Sequence, residues 1–204
     1  MVSVKLYVEG GGDSESLHRS CREGFRGFLE KAGFNDCARK PRIVACGGRQ
    51  NAYDRFNTAC VAGETALLLI DSEDLVSVSS PWAHLAGRAG DEFAKPKNAT
   101  DDHCHLMVVC MESWFLADQD SLALFFGQGF QANALPRNTN IEAISKDDVY
   151  RKIQKATSRC KTKAPYGKGE HSFKILLNID PQKVVAASLW AKRFVDKLNI
   201  FMKG

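Results

Sequence analysis

Short apolar runs separated by stretches with helical periodicity limit how this chain can fold more than any other sequence feature. Four such runs are predicted to be strands, at residues 2–8, 41–46, 65–70 and 105–111. The run at 65–70, TALLLI, lacks alternating polar positions, which is typical of a strand covered by helices on both faces. Because strands joined by helices form right-handed crossovers, the sequence predicts a three-layer α/β fold, with a mostly parallel sheet of about four strands and helices on both faces.

The segments between and after these runs are predicted to be helices and loops. Asp13 is expected to cap the first helix, which runs to about Ala32 and ends at Gly33. Further helices are expected at 51–61, 114–125, 147–160, 170–178 and 182–199, with loops at 76–102 and 127–146. A length of 204 residues is compatible with a single domain, so we expect one domain over residues 1–204, with a helical extension from about residue 147 to residue 204.

The composition indicates the cellular compartment of the protein. No apolar run approaches the roughly 20 residues of a membrane-spanning helix, and the first residues reach acid before a signal-like segment develops. The seven cysteines are odd in number and form no CxxC pair, which favours reduced thiols over a disulfide framework. We therefore expect a cytoplasmic protein that is neither secreted nor bound to a membrane.

The net charge of +4 is unevenly distributed along the chain. Residues 146–174 contain nine Lys and Arg against three Asp and Glu, a net charge of +6, so the remainder carries −2. A basic segment on a mildly acidic body predicts contact with a nucleic-acid backbone. The alternative is a solvated helix face.

Acidic residues follow three of the predicted strands. Glu9 comes directly after the first strand, Asp71, Glu73 and Asp74 follow the third, and Glu112 follows the fourth. Because all strands of a parallel sheet end on the same side, we expect these side chains to share one edge. Crowded carboxylates repel one another unless they hold protons or a cation, and hard oxygen ligands select Mg²⁺ or Mn²⁺. The alternative is that the acids only cap the helices that follow.

Two glycine-containing turns are candidate phosphate sites. Gly10, Gly11 and Gly12 allow a sharp turn after the first strand and let a phosphate approach backbone N–H groups near a helix start. Lys168 and His171 lie in the second turn, KAPYGKGEHS, where we expect them to contact phosphate or to stabilise a pentavalent transition state. Neither turn has the spacing of a nucleotide fingerprint, and a basic surface turn is the alternative for the second.

The order of these motifs resembles a known family. A Glu after the first strand with a glycine turn, followed by an acid pair after a later strand, is similar to the Toprim domain of topoisomerases, primases and overcoming-lysogenization-defect nucleases. More closely, VEGGGDSES, LLLIDSED, ESWFLAD and YGKGEHSFKILLNID resemble the Toprim-like family called domain of unknown function 4276. The resemblance covers nearly the whole chain.

This resemblance implies a Mg²⁺-dependent phosphodiester enzyme. Glu9 would be the general acid/base, Asp71 and Glu73 would bind the metal, and Glu112 would add a ligand. The usual Toprim pair is Asp-x-Asp, whereas this chain has Asp71-Ser72-Glu73-Asp74, so either Glu73 or Asp74 is the second ligand. Relatives of this kind often work beside an ATPase partner in bacterial anti-phage or mobile-element systems, so the resemblance implies an ATPase partner as an expectation.

Three functions stay open from the sequence. The leading hypothesis is a metal-dependent nuclease, a hydrolase acting on nucleic acid, and on DNA in preference to RNA. The competing hypothesis is a non-catalytic Toprim-like partner or sensor module that binds an ATPase, a nucleotide or nucleic acid; an exposed apolar patch around Trp82, Trp114 or Phe125 would favour it. The third is hydrolysis of a phosphate ester on a small nucleotide, because the same acids would serve.

Overall fold

A four-stranded parallel sheet forms the centre of the protein. The computed structural model describes residues 4–37, 40–91 and 93–203. The strands are β1 (Lys5–Val8), β2 (Arg42–Ala45), β3 (Ala66–Asp71) and β4 (Cys104–Met107), in the spatial order β2-β1-β3-β4, and all three pairings are parallel. The predicted α/β fold with a sheet of about four strands is therefore confirmed. Of the first predicted strand, residues 2 and 3 lie outside the described residues.

Eight α-helices accompany the sheet in the described part of the chain. They are α1 (Glu15–Leu29), α2 (Arg49–Val61), α3 (Pro81–Ala86), α4 (Gln119–Phe126), α5 (Lys146–Thr157), α6 (Ser172–Asn178), α7 (Pro181–Ala187) and α8 (Leu189–Lys203). Most of these follow the predicted pattern, with ends that differ by a few residues.

Four local predictions were wrong. Ser14 caps α1 instead of Asp13, because its Oγ accepts a hydrogen bond from the Leu17 N–H at 3.2 Å. The predicted loop at 76–102 contains α3, which Ser80 caps. The fourth strand ends at Met107, after which the chain bends and forms a 3₁₀ helix (Met111–Ala117) before α4. The last predicted helix is two helices, divided at the extended residue Ser188.

The strand order places helices on both faces of the sheet. The connection from β1 to β2 runs in one direction along the sheet, and the connection from β2 to β3 returns across β1. Because crossovers between parallel strands are right-handed as a rule, this reversal of direction puts α1 and α2 on opposite faces. On the α1 face, Trp114 stacks on Phe28 with ring centroids 5.0 Å apart; on the α2 face, Phe56 stacks on Trp82 at 5.9 Å.

The core is continuous from the sheet into the C-terminal helices. Every residue of β3 is buried, and Leu67, Leu68 and Leu69 have no solvent exposure. The same cluster of buried residues includes Val149 of α5 and Phe194 of α8. The helices from residue 146 onwards therefore pack on the sheet layers instead of standing apart from them. Within the described ranges, no helix has both the length and the apolar character needed to span a membrane.

We predict that Leu68→Ala lowers the free energy of unfolding by about 2–5 kcal/mol, because it leaves a cavity in a fully buried central strand. Leu124→Ala, on a side chain that is 86% exposed, serves as the control and should change stability by less than about 0.5 kcal/mol. Urea unfolding followed by circular dichroism measures both. Equal effects of the two substitutions would contradict the assignment of β3 to the core.

Candidate metal centre

The carboxyl ends of β1 and β3 lie side by side at the point where the strand order reverses. From β1 the chain crosses towards β2, on one side of the sheet, whereas from β3 it continues towards β4, on the other. In open parallel sheets, ligands bind in the crevice at such a reversal, beyond the carboxyl ends of the strands. Glu9 directly follows β1 and Asp71 is the last residue of β3, so both lie at this crevice.

Glu9, Asp71 and Glu73 form a group of three carboxylates, which we call the acid triad. Each offers one oxygen, and these oxygens all lie within 4.8 Å of one another. The backbone N–H of Asp71 donates to Glu9 Oε2 at 3.2 Å, and the Met111 N–H donates to Asp71 Oδ1 at 2.8 Å. The structure thus brings together three of the acids that the sequence predicts at one sheet edge.

The Asp71 side chain is directed into the crevice. Only 5% of the Asp71 surface is accessible to solvent, and the residue lines a cleft at this edge of the sheet. Its Oδ2 atom has no hydrogen-bond partner among the described residues, while Oδ1 is held by Met111. A carboxylate oxygen left unpaired at the wall of a cleft is the kind of group that a bound cation satisfies.

Glu73 reaches the triad because its backbone adopts a left-handed conformation, with φ of +68°. The Glu73 N–H donates to the Val109 carbonyl at 2.8 Å, and the Ser72 hydroxyl donates to the Asp74 carbonyl at 2.7 Å, which fixes the turn. Asp74 is left exposed and pairs with Arg88 at 2.9 Å. The geometry therefore favours Glu73 over Asp74 as the second acid, an alternative that the sequence left open.

Two basic residues that the sequence reasoning did not assign contact the acid triad. Arg49 donates to Glu9 Oε2 at 3.1 Å and to the backbone carbonyl of Asp71, and Lys146 pairs with Glu73. A signal for Arg49 was present, since it follows Gly47-Gly48 just beyond the end of β2 and so lies on the same rim. Lys146 is the first residue of the basic segment, but nothing in the sequence pairs it with Glu73.

A cleft of about 400 Å³ opens beside the triad. Lys168 lines this cleft with its side chain open to solvent, and its ammonium lies 5.6 Å from the centre of the Tyr150 ring. Partial desolvation by the walls of the cleft opposes the charge of this lysine, but the carboxylates of Glu112 and Asp71 raise its pKa. Lys168 therefore supplies a positive charge where an anionic ligand would enter.

The glycine turn after β1 forms another wall of the cleft. Gly10 and Gly47 exchange backbone hydrogen bonds of 2.8 and 2.9 Å, which hold the two glycine turns together. A Cβ atom on Gly47 would lie 2.6 Å from the Gly12 carbonyl oxygen, and the φ of +71° at Gly47 favours glycine as well. Gly10, Gly11 and Gly12 all line the cleft, as expected for a surface that a phosphate approaches closely.

Glu112 lies beside the cleft but does not join the acid triad. It is fully buried, and its carboxylate accepts hydrogen bonds from Tyr150 at 2.9 Å, Tyr166 at 2.8 Å and Ser172 at 3.2 Å. Burial, and then the Glu112 charge, raise the pKa of both tyrosines, which keeps them as hydrogen donors. The strand before Glu112 ends at Met107, and hydroxyl groups donate to both of its oxygens. The role of Glu112 as a metal ligand stays a prediction.

His171 is also placed differently from the prediction. Its side chain is buried and packs against the rings of Phe125, Phe126 and Tyr166. The Gly167 N–H lies 3.1 Å from its Nδ1 atom, and burial lowers its pKa. His171 does not line the cleft and shapes the turn that carries Lys168, so its position does not bring it to a phosphate bound there.

Crowding and burial oppose negative charge in the acid triad. Burial, followed by the charges of Glu9 and Glu112, raises the pKa of Asp71 well above its usual value. Burial also raises the pKa of Glu9, where the charge of Glu73 adds to the effect and that of Arg49 opposes it. A divalent cation would remove this repulsion, and three hard carboxylate oxygens fit Mg²⁺ or Mn²⁺.

Comparison with known proteins gives a family but no function. The family model described as a domain of unknown function (DUF4276) matches residues 8–199. No curated protein and no solved structure shows significant similarity to the chain.

The raised pKa of Asp71 predicts a pH-dependent stability. Without metal, the folded chain keeps a proton on Asp71 that the unfolded chain releases above about pH 4, so stability from this group falls as pH rises through the folded pKa. Mg²⁺ or Mn²⁺ binds the deprotonated form, so the increase in Tm caused by metal should grow with pH over the same window.

Thermal denaturation of the wild type and of Asp71→Asn, with and without metal, measures this dependence. The metal-free stability of the wild type relative to Asp71→Asn should decline with rising pH, and the variant should lose most of the metal effect. A relative stability that increases with pH would contradict the assigned environment of Asp71.

Proposed function

The chain belongs to the DUF4276 family, a domain of unknown function, and we propose that it is a Mg²⁺- or Mn²⁺-dependent nuclease that hydrolyses phosphodiester bonds. The observation that carries the proposal is the acid triad, three carboxylate oxygens within 4.8 Å of one another beside a cleft that contains Lys168. The Toprim-like relationship is part of the same proposal, since the acids follow β1 and β3 in the order that Toprim domains use.

Each residue of the centre has a definable task. Glu9, Asp71 and Glu73 would hold a divalent cation, which would supply Lewis-acid polarisation of a phosphate oxygen and make water a better nucleophile. Asp71 is fixed by the Met111 N–H, and Glu9 by Arg49 and the Asp71 N–H, so their oxygens are pre-positioned. Lys168 balances the negative charge that develops on the phosphate. The general acid/base role of Glu9 stays a prediction.

The basic segment at 146–174 supports nucleic acid as the substrate. Two of its lysines, Lys146 and Lys168, lie at the centre itself, one paired with Glu73 and the other in the cleft. Most of its remaining basic side chains are exposed to solvent, namely Arg151, Lys155, Arg159, Lys161, Lys163 and Lys174. Exposed positive side chains on the segment that supplies Lys146 and Lys168 to the centre attract a polyanionic backbone to this part of the surface. The preference for DNA over RNA stays a prediction.

The competing hypotheses have less support. Of the three aromatic residues named for an exposed apolar patch, Trp82 and Trp114 are buried in the core. Phe125 is half-buried beside the exposed Leu124, so a patch that would favour a non-catalytic binding module is limited to this pair. The ATPase partner and the role in anti-phage defence stay predictions. Hydrolysis of a small nucleotide would use the same acids, but the basic side chains outside the cleft would then have no substrate to contact.

We predict that the purified chain cleaves single-stranded or plasmid DNA when Mg²⁺ or Mn²⁺ is added, and that EDTA stops the cleavage. Glu9→Gln and Asp71→Asn should each lower the rate by about 100-fold or more, the effect of losing one electrostatic contact in an active site. Glu23→Gln, an exposed carboxylate on α1, is the matched control and should leave the rate unchanged. Cleavage that survives both triad substitutions would exclude the acid triad as the catalytic centre.

A further inference from the structure

We propose that the acid triad binds one divalent cation, and that the fixed guanidinium of Arg49 supplies the second positive charge that another cation would contribute. This rests on the proposed function, because it concerns the same carboxylates. Many phosphodiester enzymes hold two cations about 3.5–4 Å apart, and each Mg²⁺ is usually held by one or two carboxylates together with waters and substrate phosphates. Four further acids lie near the triad, and their surroundings decide between one cation and two.

These four acids have other partners or lie outside the group of close oxygens. The Glu112 carboxylate accepts hydrogen bonds from the hydroxyl groups of two tyrosines and a serine. Asp91 is paired with Arg49 and Arg88, and Asp74 with Arg88. Asp13 lines the cleft, but it is not part of the group whose oxygens lie within 4.8 Å of one another. The described residues therefore offer the triad as the single set of ligands at this edge.

Arg49 is held too firmly to leave when a cation binds. Its Nε and Nη2 atoms donate to the two oxygens of Asp91 at 2.6 and 2.5 Å, while Nη1 donates to Glu9 and to the Asp71 carbonyl. The guanidinium also lies 5.7 Å from the centre of the Phe93 ring. A two-pronged pair with a buried carboxylate fixes both position and charge, because an outward swing would leave Asp91 with Arg88 alone.

Lys146 is held by fewer contacts than Arg49. Its ammonium contacts Glu73 alone among the acids of the triad, and its side chain is 27% exposed on a flexible stem. Lys146 can therefore turn to solvent and release Glu73 to a cation. With Arg49 in place, the three carboxylates keep a net charge of −2, which one divalent cation neutralises. A second cation would bring two positive charges that no ligand of the triad balances.

The stoichiometry of Mn²⁺ tests this inference on the full chain without reference to activity. Calorimetric titration should give one Mn²⁺ per chain, and the electron paramagnetic resonance spectrum should show the six lines of an isolated ion. Two cations sharing carboxylates at this separation would instead give a spin-coupled spectrum. The wild-type measurement decides the stoichiometry even if a variant fails to fold.

Substitution of Arg49 tests its role as the fixed charge. Arg49→Gln should raise Mn²⁺ affinity by about 10-fold or more, because it removes a unit positive charge a few ångströms from the cation. Arg49→Lys, which keeps the charge, should stay closer to the wild type. Arg88→Gln is the matched control, since Arg88 pairs with Asp91 but does not contact the triad; its Mn²⁺ affinity should be unchanged.

Each outcome separates this inference from the proposed function. Two coupled Mn²⁺ ions per wild-type chain, or equal affinities of Arg49→Gln and the wild type, would overturn the inference and leave the nuclease proposal standing. One isolated Mn²⁺ in a chain that cleaves no phosphodiester would support the inference and overturn the nuclease proposal. No Mn²⁺ binding at all would overturn both.

Discussion

Repulsion among carboxylates at the ends of β1 and β3 is the constraint on which the rest of the site depends. The reversal of strand order places Glu9 and Asp71 side by side, and the turn at Glu73 adds a third acid. Burial of Asp71 makes the negative charge of the three carboxylates more unfavourable, so positively charged side chains must lie close to them. Arg49 and Lys146 contact the triad directly, and Lys168 lies across the cleft. These basic side chains thus compensate part of the negative charge of the triad.

Much of this arrangement could be predicted from the sequence, because its cause is local and periodic. Apolar runs joined by helical segments specify a parallel sheet, and parallel strands end on one side. The acids directly after the first and third runs therefore had to meet at one edge, as Glu9 and Asp71 do. Glu112 was harder to place, because its surroundings depend on hydroxyl groups from Tyr150 and Tyr166, which lie 38 and 54 residues further along the chain.

The features that the sequence could not predict depend on tertiary contacts or on single backbone angles. The choice between Glu73 and Asp74 follows from a left-handed residue that no propensity rule predicts for a glutamate. Arg49 and Glu9 are 40 residues apart, and Lys146 and Glu73 are 73 apart, so neither pair leaves a local pattern. His171 reads as a phosphate contact in a basic turn, but the rings of Phe125 and Phe126 bury it. The basic character of this turn therefore did not distinguish the exposed Lys168 from the buried His171.

A crystal structure of the protein grown with Mn²⁺, whose anomalous scattering identifies the ion, tests the central claim most directly. Our account predicts one ion in coordination contact with Asp71 Oδ2 and with carboxylate oxygens of Glu9 and Glu73. Lys146 should have moved away from Glu73, and Arg49 should remain on Asp91. An ion bound elsewhere, or a triad that keeps the Lys146 contact and holds no ion at saturating Mn²⁺, would contradict the account.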